Sequence, residues 1–478
     1  MNRLIFRQIA ATAAVALMVW SAGCVRPRPK AQPDLGHIFR PARELTGKTP
    51  IIIIPGMLGS RLENKRTGEI VWPRAHPVED ALTLPTTPAL KVNRDDVVAT
   101  GLVETAKLGF PIGEIKVYEE FIDNLTKYAG YKRGDINNPS PDGYQDTFYL
   151  FPYDWRRDNV ETVQLLADKI TRLKQKLQRP DLRFNLITHS MGGLIARYYL
   201  MYGGTDVLDQ TAAQVTWAGA ANVNKLILIG VPNEGTMDAL RALVEGYPVA
   251  EGGLGLFGKV EAATAFTMPA AFQLLPHTGS QEFYDGRLQP MAANLYEVET
   301  WQRHRWSIYA PAYRRALTKK MQKTFGPTWQ REFDGFLFER ELYLKVVLTR
   351  ARRFSAALDS KADLANTLKV FILTGDCERT LRAALIIDDG DQSRTFFRAR
   401  KLNLKGTDLT SAQVEAKLFE PGDGRVTRRS ALAISHGDTV SDRSDQAHIA
   451  FAIFGCEIHS DLPNNPTIQD NLLSIFLR

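Results

Sequence analysis

The stretch "RFNLITHSMGGLIARYYL", Arg183–Leu200, changes character at its middle. "FNLIT" is apolar and β-branched enough for a strand, and "MGGLIARYY" continues with the pattern of a helix. Between them a sharp corner sets Ser190 out, with His189 and Met191 beside it. That is the layout of a nucleophile elbow, written G-x-S-x-G because side chains two residues from the serine crowd the turn. Gly192 follows the pattern, whereas Thr188 stands where the first glycine is usual. Ser190 is the candidate nucleophile.

Working outward, five more apolar runs end in turn chemistry: "IIIIPG" (Ile51–Gly56), "FYLFPYDW" (Phe148–Trp155), "KLILIGVP" (Lys225–Pro232), "KVFILTGD" (Lys369–Asp376) and "HIAFAIFG" (His448–Gly455). Most are hydrophobic throughout rather than alternating, as strands buried on both faces of a parallel sheet are. Amphipathic segments lie between them. In "ETVQLLADKITRLKQKLQ" the residues Val163, Leu166, Ile170, Leu173 and Leu177 recur at helical spacing. Strand alternating with helix predicts an α/β fold with a mostly parallel central sheet and helices on both faces. Its core divides into residues 50–235 and 368–478. Residues 60–113 break the rhythm as a lid-like excursion, and residues 236–367 as an inserted helical cap. The cap holds "WQRHRWSIYAPAYRRALTKKMQK", aromatic and basic. Such charge reads first as a solvated helix face and second as a contact for lipid headgroups.

Hydrophobic residues make up 44% of the 478 and charged residues 24%, which suits a globular chain with a sizeable core. A net charge of +7 is mild for this length: compatible with an anionic membrane surface, but no nucleic-acid footprint. Residues 1–23 read as a signal peptide, with an apolar run of about twelve residues, too short to cross a bilayer about 30 Å thick. "SAGC" then places small residues before Cys24, which resembles a bacterial lipoprotein signal and makes Cys24 a lipidation candidate, although Ser21 departs from the usual aliphatic residue. Residues 24–49 begin as a Pro-rich basic tether. The chain is expected to be exported, either anchored to the cell envelope or periplasmic or secreted. There, Cys377 and Cys456, each just past a predicted strand, are candidates to pair.

Serine is a weak nucleophile near neutral pH and needs a histidine base held by a carboxylate. On such sheets the order along the chain is serine, acid, histidine, with the site beyond the carboxyl ends of the strands. His189 is adjacent to the serine but points apart from it across the turn, so it reads as local packing. His448 opens a strand and sits about 20 Å from the catalytic edge at 3.3 Å per residue. His436 reaches the site only if its loop folds inward. His459, past the far end of the last strand, is the candidate base. For the acid, Asp376 at the end of "VFILTG" and Asp423 in "EPGDGRVTRRSAL" stay open.

With these pieces assembled, the chain resembles the lecithin:cholesterol acyltransferase family, within the α/β-hydrolase superfamily, including its lysosomal phospholipase and phospholipid:diacylglycerol acyltransferase relatives. The residues that carry it are "PIIIIPGMLGSRLENK" (Pro50–Lys65), "FPYDWRRD" (Phe151–Asp158), "THSMGG" (Thr188–Gly193), "LIGVPNEGT" (Leu228–Thr236) and "GDGRVTRRSAL" (Gly422–Leu432). The resemblance implies Asp423 as the acid and His459 as the base, and an oxyanion hole from the backbone N–H groups of Met57 and Met191. The fold rule points to the same two sources. It implies acyl transfer from a glycerophospholipid, through an acyl-serine, to an alcohol or water, with no cofactor and no metal. A carboxylesterase or triacylglycerol lipase using the same three residues is the nearest alternative, and a lipid-binding lipoprotein with an inactive site is the non-enzymatic one. No cysteine lies between Cys24 and Cys377, so the disulfide-tied lid of the family's eukaryotic members is not expected.

Overall fold

The computed structural model describes residues 33–74, 79–109, 113–210, 213–248, 259–360, 368–388, 393–404, 407–433 and 449–477. Its centre is a sheet of seven strands: β1 (Ile51–Ile54), β2 (Lys132–Gly134), β3 (Thr147–Leu150), β4 (Phe184–His189), β5 (Val223–Ile229), β6 (Lys369–Gly375) and β7 (Ile449–Gly455). They lie in the order β7-β6-β5-β4-β1-β3-β2, and every neighbouring pair is parallel. Parallel neighbours require crossovers, and helices supply most of them. These are α1 (Glu119–Lys127), α2 (Asn159–Lys176) and α3 (Met191–Tyr202), with α4 (Met237–Glu245), α5 (Pro311–Phe325) and α6 (Trp329–Leu358) between β5 and β6, while the terminal α7 (Pro466–Leu477) follows β7.

The run Ile51–Ile54 shows why continuous hydrophobicity is needed. Side chains alternate across a strand. Ile52 and Ile54 join the core that contains Val163 and Leu166 of α2 and Leu194 of α3. Ile51 and Ile53 join a second core with Phe121 and Leu125 of α1 and Ile468 and Leu472 of α7. Both faces are covered, so no position on the strand tolerates a polar residue.

Three features lay beyond the sequence reading. The edge strand β2 is three residues of "KRG", exposed and without apolar signal. The 60–113 excursion contains an antiparallel three-stranded sheet, Ser60–Asn64 pairing with Ile70–Trp72 and with Val97–Leu102. Between β6 and β7 the chain leaves the core a further time. There Ala384–Asp388 pairs with Ser393–Phe396 and also with Phe283–Tyr284, inside the stretch read as cap. Cys377 and Cys456 are disulfide-bonded, with Cα atoms 5.2 Å apart, where β6 and β7 end side by side. Cys24, His436 and His448 lie outside the described residues.

Candidate active site

β4 delivers Ser190 to the carboxyl edge of the sheet. Ser190 sits at φ 54° and ψ −128°, a left-handed conformation that costs energy for any residue with a side chain. Ser190 N–H donates to Ile229 O of β5 at 2.9 Å, which holds the turn. Gly192 is required by close approach: a Cβ there would fall 2.5 Å from the carbonyl oxygens of both Ile54 and Pro55. Thr188 fits because its side chain turns toward the neighbouring strand, where Oγ1 donates to Ile227 O at 2.9 Å. The hydroxyl is thus satisfied in a fully buried position.

The three side chains singled out in the sequence converge. His459 Nε2 is 2.9 Å from Ser190 Oγ, and its Nδ1 is 2.8 Å from Asp423 Oδ2. In the tautomer this pairing requires, Nδ1–H donates to the carboxylate and Nε2 accepts from the hydroxyl. Asp423 is wholly buried and held on every side. Its Oδ1 accepts from the N–H groups of Arg425 (2.9 Å) and Val426 (2.7 Å), and its carbonyl accepts from His459 N–H (2.8 Å). The acid that remained open in the sequence takes no part: Asp376 is half-buried and makes no hydrogen bond to His459. Gly375 explains the choice, since a Cβ at the end of β6 would lie 2.7 Å from Asp423 Cβ. The strand ends in a space that the loop aspartate fills.

His189 packs locally but does more than fill space. Tyr118 and His189 Nδ1 share a hydrogen bond of 2.7 Å, while His189 Nε2 lies 3.1 Å from the carbonyl oxygen of His459. Gly56 N–H donates to the same Tyr118 oxygen at 3.2 Å. A neutral His189 satisfies this geometry, accepting from Tyr118 and donating to His459. Burial, and then the neighbouring His459, lower its pKa to about 3. Gly56, Tyr118, His189 and His459 thereby form one chain of bonds from the loop after β1 to the backbone of the histidine loop.

Met57 and Met191 both border Ser190. Met191 is the first residue of α3, where helix N–H groups lack intrahelical partners. Met57 lines the cavity in front of Ser190. Its loop is braced by "FPYDWRRD": Tyr153 O–H donates to Pro55 O (2.7 Å) and Trp155 Nε1–H to Ser60 O (3.1 Å). Arg156, fully buried, lies between two carboxylates. It donates to Asp154 at 2.9 and 2.8 Å and to Asp95 of the 60–113 excursion at 2.7 and 3.0 Å. The motif is a clasp beneath the site, with no contact to Ser190.

The cavity has a volume of about 270 Å³ and is mainly apolar, with Trp72, Ala242, Tyr247, Leu274 and Val426 around Ser190 and His459. Arg425 forms part of its wall, paired with Asp238 at 2.6 Å and lying over the Tyr247 ring at 4.2 Å. The space suits a hydrocarbon chain whose carbonyl end rests at the serine.

A parallel sheet with a strained serine elbow at its carboxyl edge is the architecture of an α/β-hydrolase. A chain in the crystal structure of the Tle4–Tli4 complex shares the fold, with a TM-score of 0.52 at 13% identity over 90% of this chain and 98% of that one. The family model described as lecithin:cholesterol acyltransferase matches residues 80–304, a range that includes Ser190 and ends before Asp423 and His459. Phosphatidylcholine-sterol acyltransferase from Homo sapiens is 30% identical over 184 residues, 34% of this chain and 41% of that protein. The Gallus gallus protein of the same name is 28% identical over 247 residues, 46% and 56% respectively. The resemblance to the lecithin:cholesterol acyltransferase family is therefore shown by comparison as well as by motif, over about half the length of these relatives or less.

Proposed function

We propose that the protein is a serine-dependent acyltransferase or lipid ester hydrolase of the lecithin:cholesterol acyltransferase type, with a glycerophospholipid as acyl donor. The observation that carries this is His459 bonded at once to Ser190 and Asp423 in front of an apolar cavity. Ser190 Oγ attacks the ester carbonyl as His459 Nε2 takes its proton. Asp423 holds the imidazole and stabilises its charged form. Negative charge on the carbonyl oxygen is received by the N–H groups of Met57 and Met191. Collapse breaks the bond to the leaving alcohol, which takes the proton from His459 and departs as lysophospholipid. An alcohol or water then gives its proton to His459 and attacks the acyl-serine; as the bond to Ser190 Oγ breaks, His459 returns that proton to Oγ and the new ester or the fatty acid departs. Which of the two enters decides between transfer and hydrolysis. We place the protein outside the cytoplasm at a membrane surface, held by lipid on Cys24; the signal-like N-terminus and the disulfide support this reading.

The test incubates the protein with phosphatidylcholine vesicles, with and without a long-chain alcohol, and quantifies fatty acid, lysophospholipid and acylated alcohol by mass spectrometry. We expect product from the parent, none above background from Ser190→Ala, and a loss of about 10⁴-fold in Asp423→Asn. Acylated alcohol identifies a transferase and fatty acid alone a hydrolase. Unchanged turnover in Ser190→Ala would refute the mechanism.

A further inference from the structure

The hairpin of α5 and α6 has a small core of its own, in which Leu317 and Met321 pack on Leu337, supported by Tyr313, Trp329, Phe333 and Phe336. At 3.6 residues per turn, the face of α5 opposite Leu317 and Met321 carries Arg315, Lys319 and Lys323, one above the other at four-residue steps, with Lys320 at its flank. All four are exposed. The helix holds five basic residues and no acidic one. Arg314 faces Glu341 at 4.0 Å, but among the described residues no acid pairs with the other four. Like charges at this spacing repel and weaken a helix, and among the described residues no ion pair offsets that cost. Some exposed cations elsewhere are paired, as Lys65 with Asp96 and Arg172 with Asp168 are, and others, such as Lys91 and Arg287, stand singly rather than in a row. Just past the ridge the hairpin turns at Gly326–Thr328, and Phe325 stands 42% exposed at the turn.

We propose that this hairpin docks the protein on an anionic lipid leaflet, with the ridge of α5 lying among headgroup phosphates and Phe325 entering the interface. Unpaired cations beside an exposed aromatic ring are the combination that a headgroup layer over hydrocarbon accommodates. The choice of a leaflet over another polyanion rests on the lipid-ester reading of the active site; the ridge itself does not depend on that reading.

The experiment measures co-sedimentation of the whole chain with vesicles, in a Cys24→Ser background so that no lipid on the tether contributes. Vesicles of phosphatidylcholine alone are compared with phosphatidylcholine mixed with phosphatidylglycerol. The parent is expected to prefer the anionic vesicles in a salt-sensitive way. Each cation near such a surface strengthens partition about fivefold, so Arg315→Gln/Lys319→Gln/Lys323→Gln should weaken anionic binding by about a hundredfold. A control with the same change in net charge, Lys65→Gln/Lys132→Gln/Arg172→Gln, should bind like the parent. Phe325→Ser should reduce binding to both vesicle types. A triple variant that binds like the parent, a parent without anionic preference, or ridge-dependent binding to duplex DNA with none to vesicles would each overturn the proposal. Labelling of Ser190 by a fluorophosphonate and turnover of a soluble short-chain ester report on the catalytic reading separately. An active protein without charge-dependent binding loses the docking proposal alone, and an inert one that docks through the ridge loses the catalytic reading alone.

Discussion

His189 stands beside the nucleophile in sequence, yet its bonds run to Tyr118 and to the backbone of His459. A proton added to His189 would remove the acceptor that Tyr118 needs and set a positive ring beside that of His459, whose centroid is 4.9 Å away. The consequence for stability has a definite sign. An unfolded histidine titrates near 6.5, whereas burial, then His459, lowers the folded value to about 3. The unfolded chain therefore binds the extra proton first as the medium becomes acidic. The stability that neutral His189 provides is intact above pH about 6.5 and lost progressively down to about 3, at up to about 1.4 kcal/mol for each pH unit. His189→Gln keeps a donor for the His459 carbonyl and removes the titration. Denaturant unfolding of the two proteins between pH 7 and pH 4 should show a shallower acid loss in the variant. Parallel curves would mean that His189 titrates normally in the folded protein. Nothing in the sequence pointed to Tyr118 as its partner, since the two lie 71 positions apart and share no pattern.

At the scale of elements, what was legible follows the range of the forces involved. β1, β4, β5 and β6 were readable because a strand buried on both faces must be apolar throughout, and the elbow because its geometry restricts residue type. Chain order and strand direction sufficed to select Ser190 and His459. They did not select the acid, because Asp376 and Asp423 differ only in what the third dimension places beside Gly375. β2 and the satellite strands near Ala384 and Phe419 were missed, being short segments whose pairing is set by distant partners. The clasp at Arg156 was half visible: Asp154 is two residues away, but Asp95 arrives from the excursion. The disulfide also belongs to this scale. It closes a loop of 79 residues between the ends of β6 and β7, just before the segment that carries His459. Loops of this length lose about 3–5 kcal/mol of stability when opened. Cys456→Ser, or the parent in reductant, should unfold at a clearly lower temperature. Equal midpoints with and without reductant would show that the bond contributes nothing.

For the whole molecule, the sheet presents its carboxyl edge, the cavity and the histidine loop on one side, while the chain between β5 and β6 supplies much of the surrounding mass. Where the protein resides then decides which esters it meets. No helix among the described residues is long and apolar enough to cross a membrane; lipid on Cys24, as proposed, would attach the protein to a leaflet through a proline-rich tether. Cells fed radiolabelled palmitate should yield labelled protein from the parent and none from Cys24→Ser. Equal labelling of both would place any acyl group elsewhere.

The arginine clasp has a further consequence for reading genetic data. Arg156 is shielded from solvent and makes no hydrogen bond to the catalytic side chains, yet removing it leaves Asp154 and Asp95, both only partly exposed, without the cation they share and lowers stability. Lysine is no substitute, because an ammonium's three donors cannot reproduce the four bonds that the planar guanidinium makes to the two carboxylates. A screen for inactive variants would therefore return Arg156 alongside Ser190, and the two would look alike until activity was divided by the amount of folded protein.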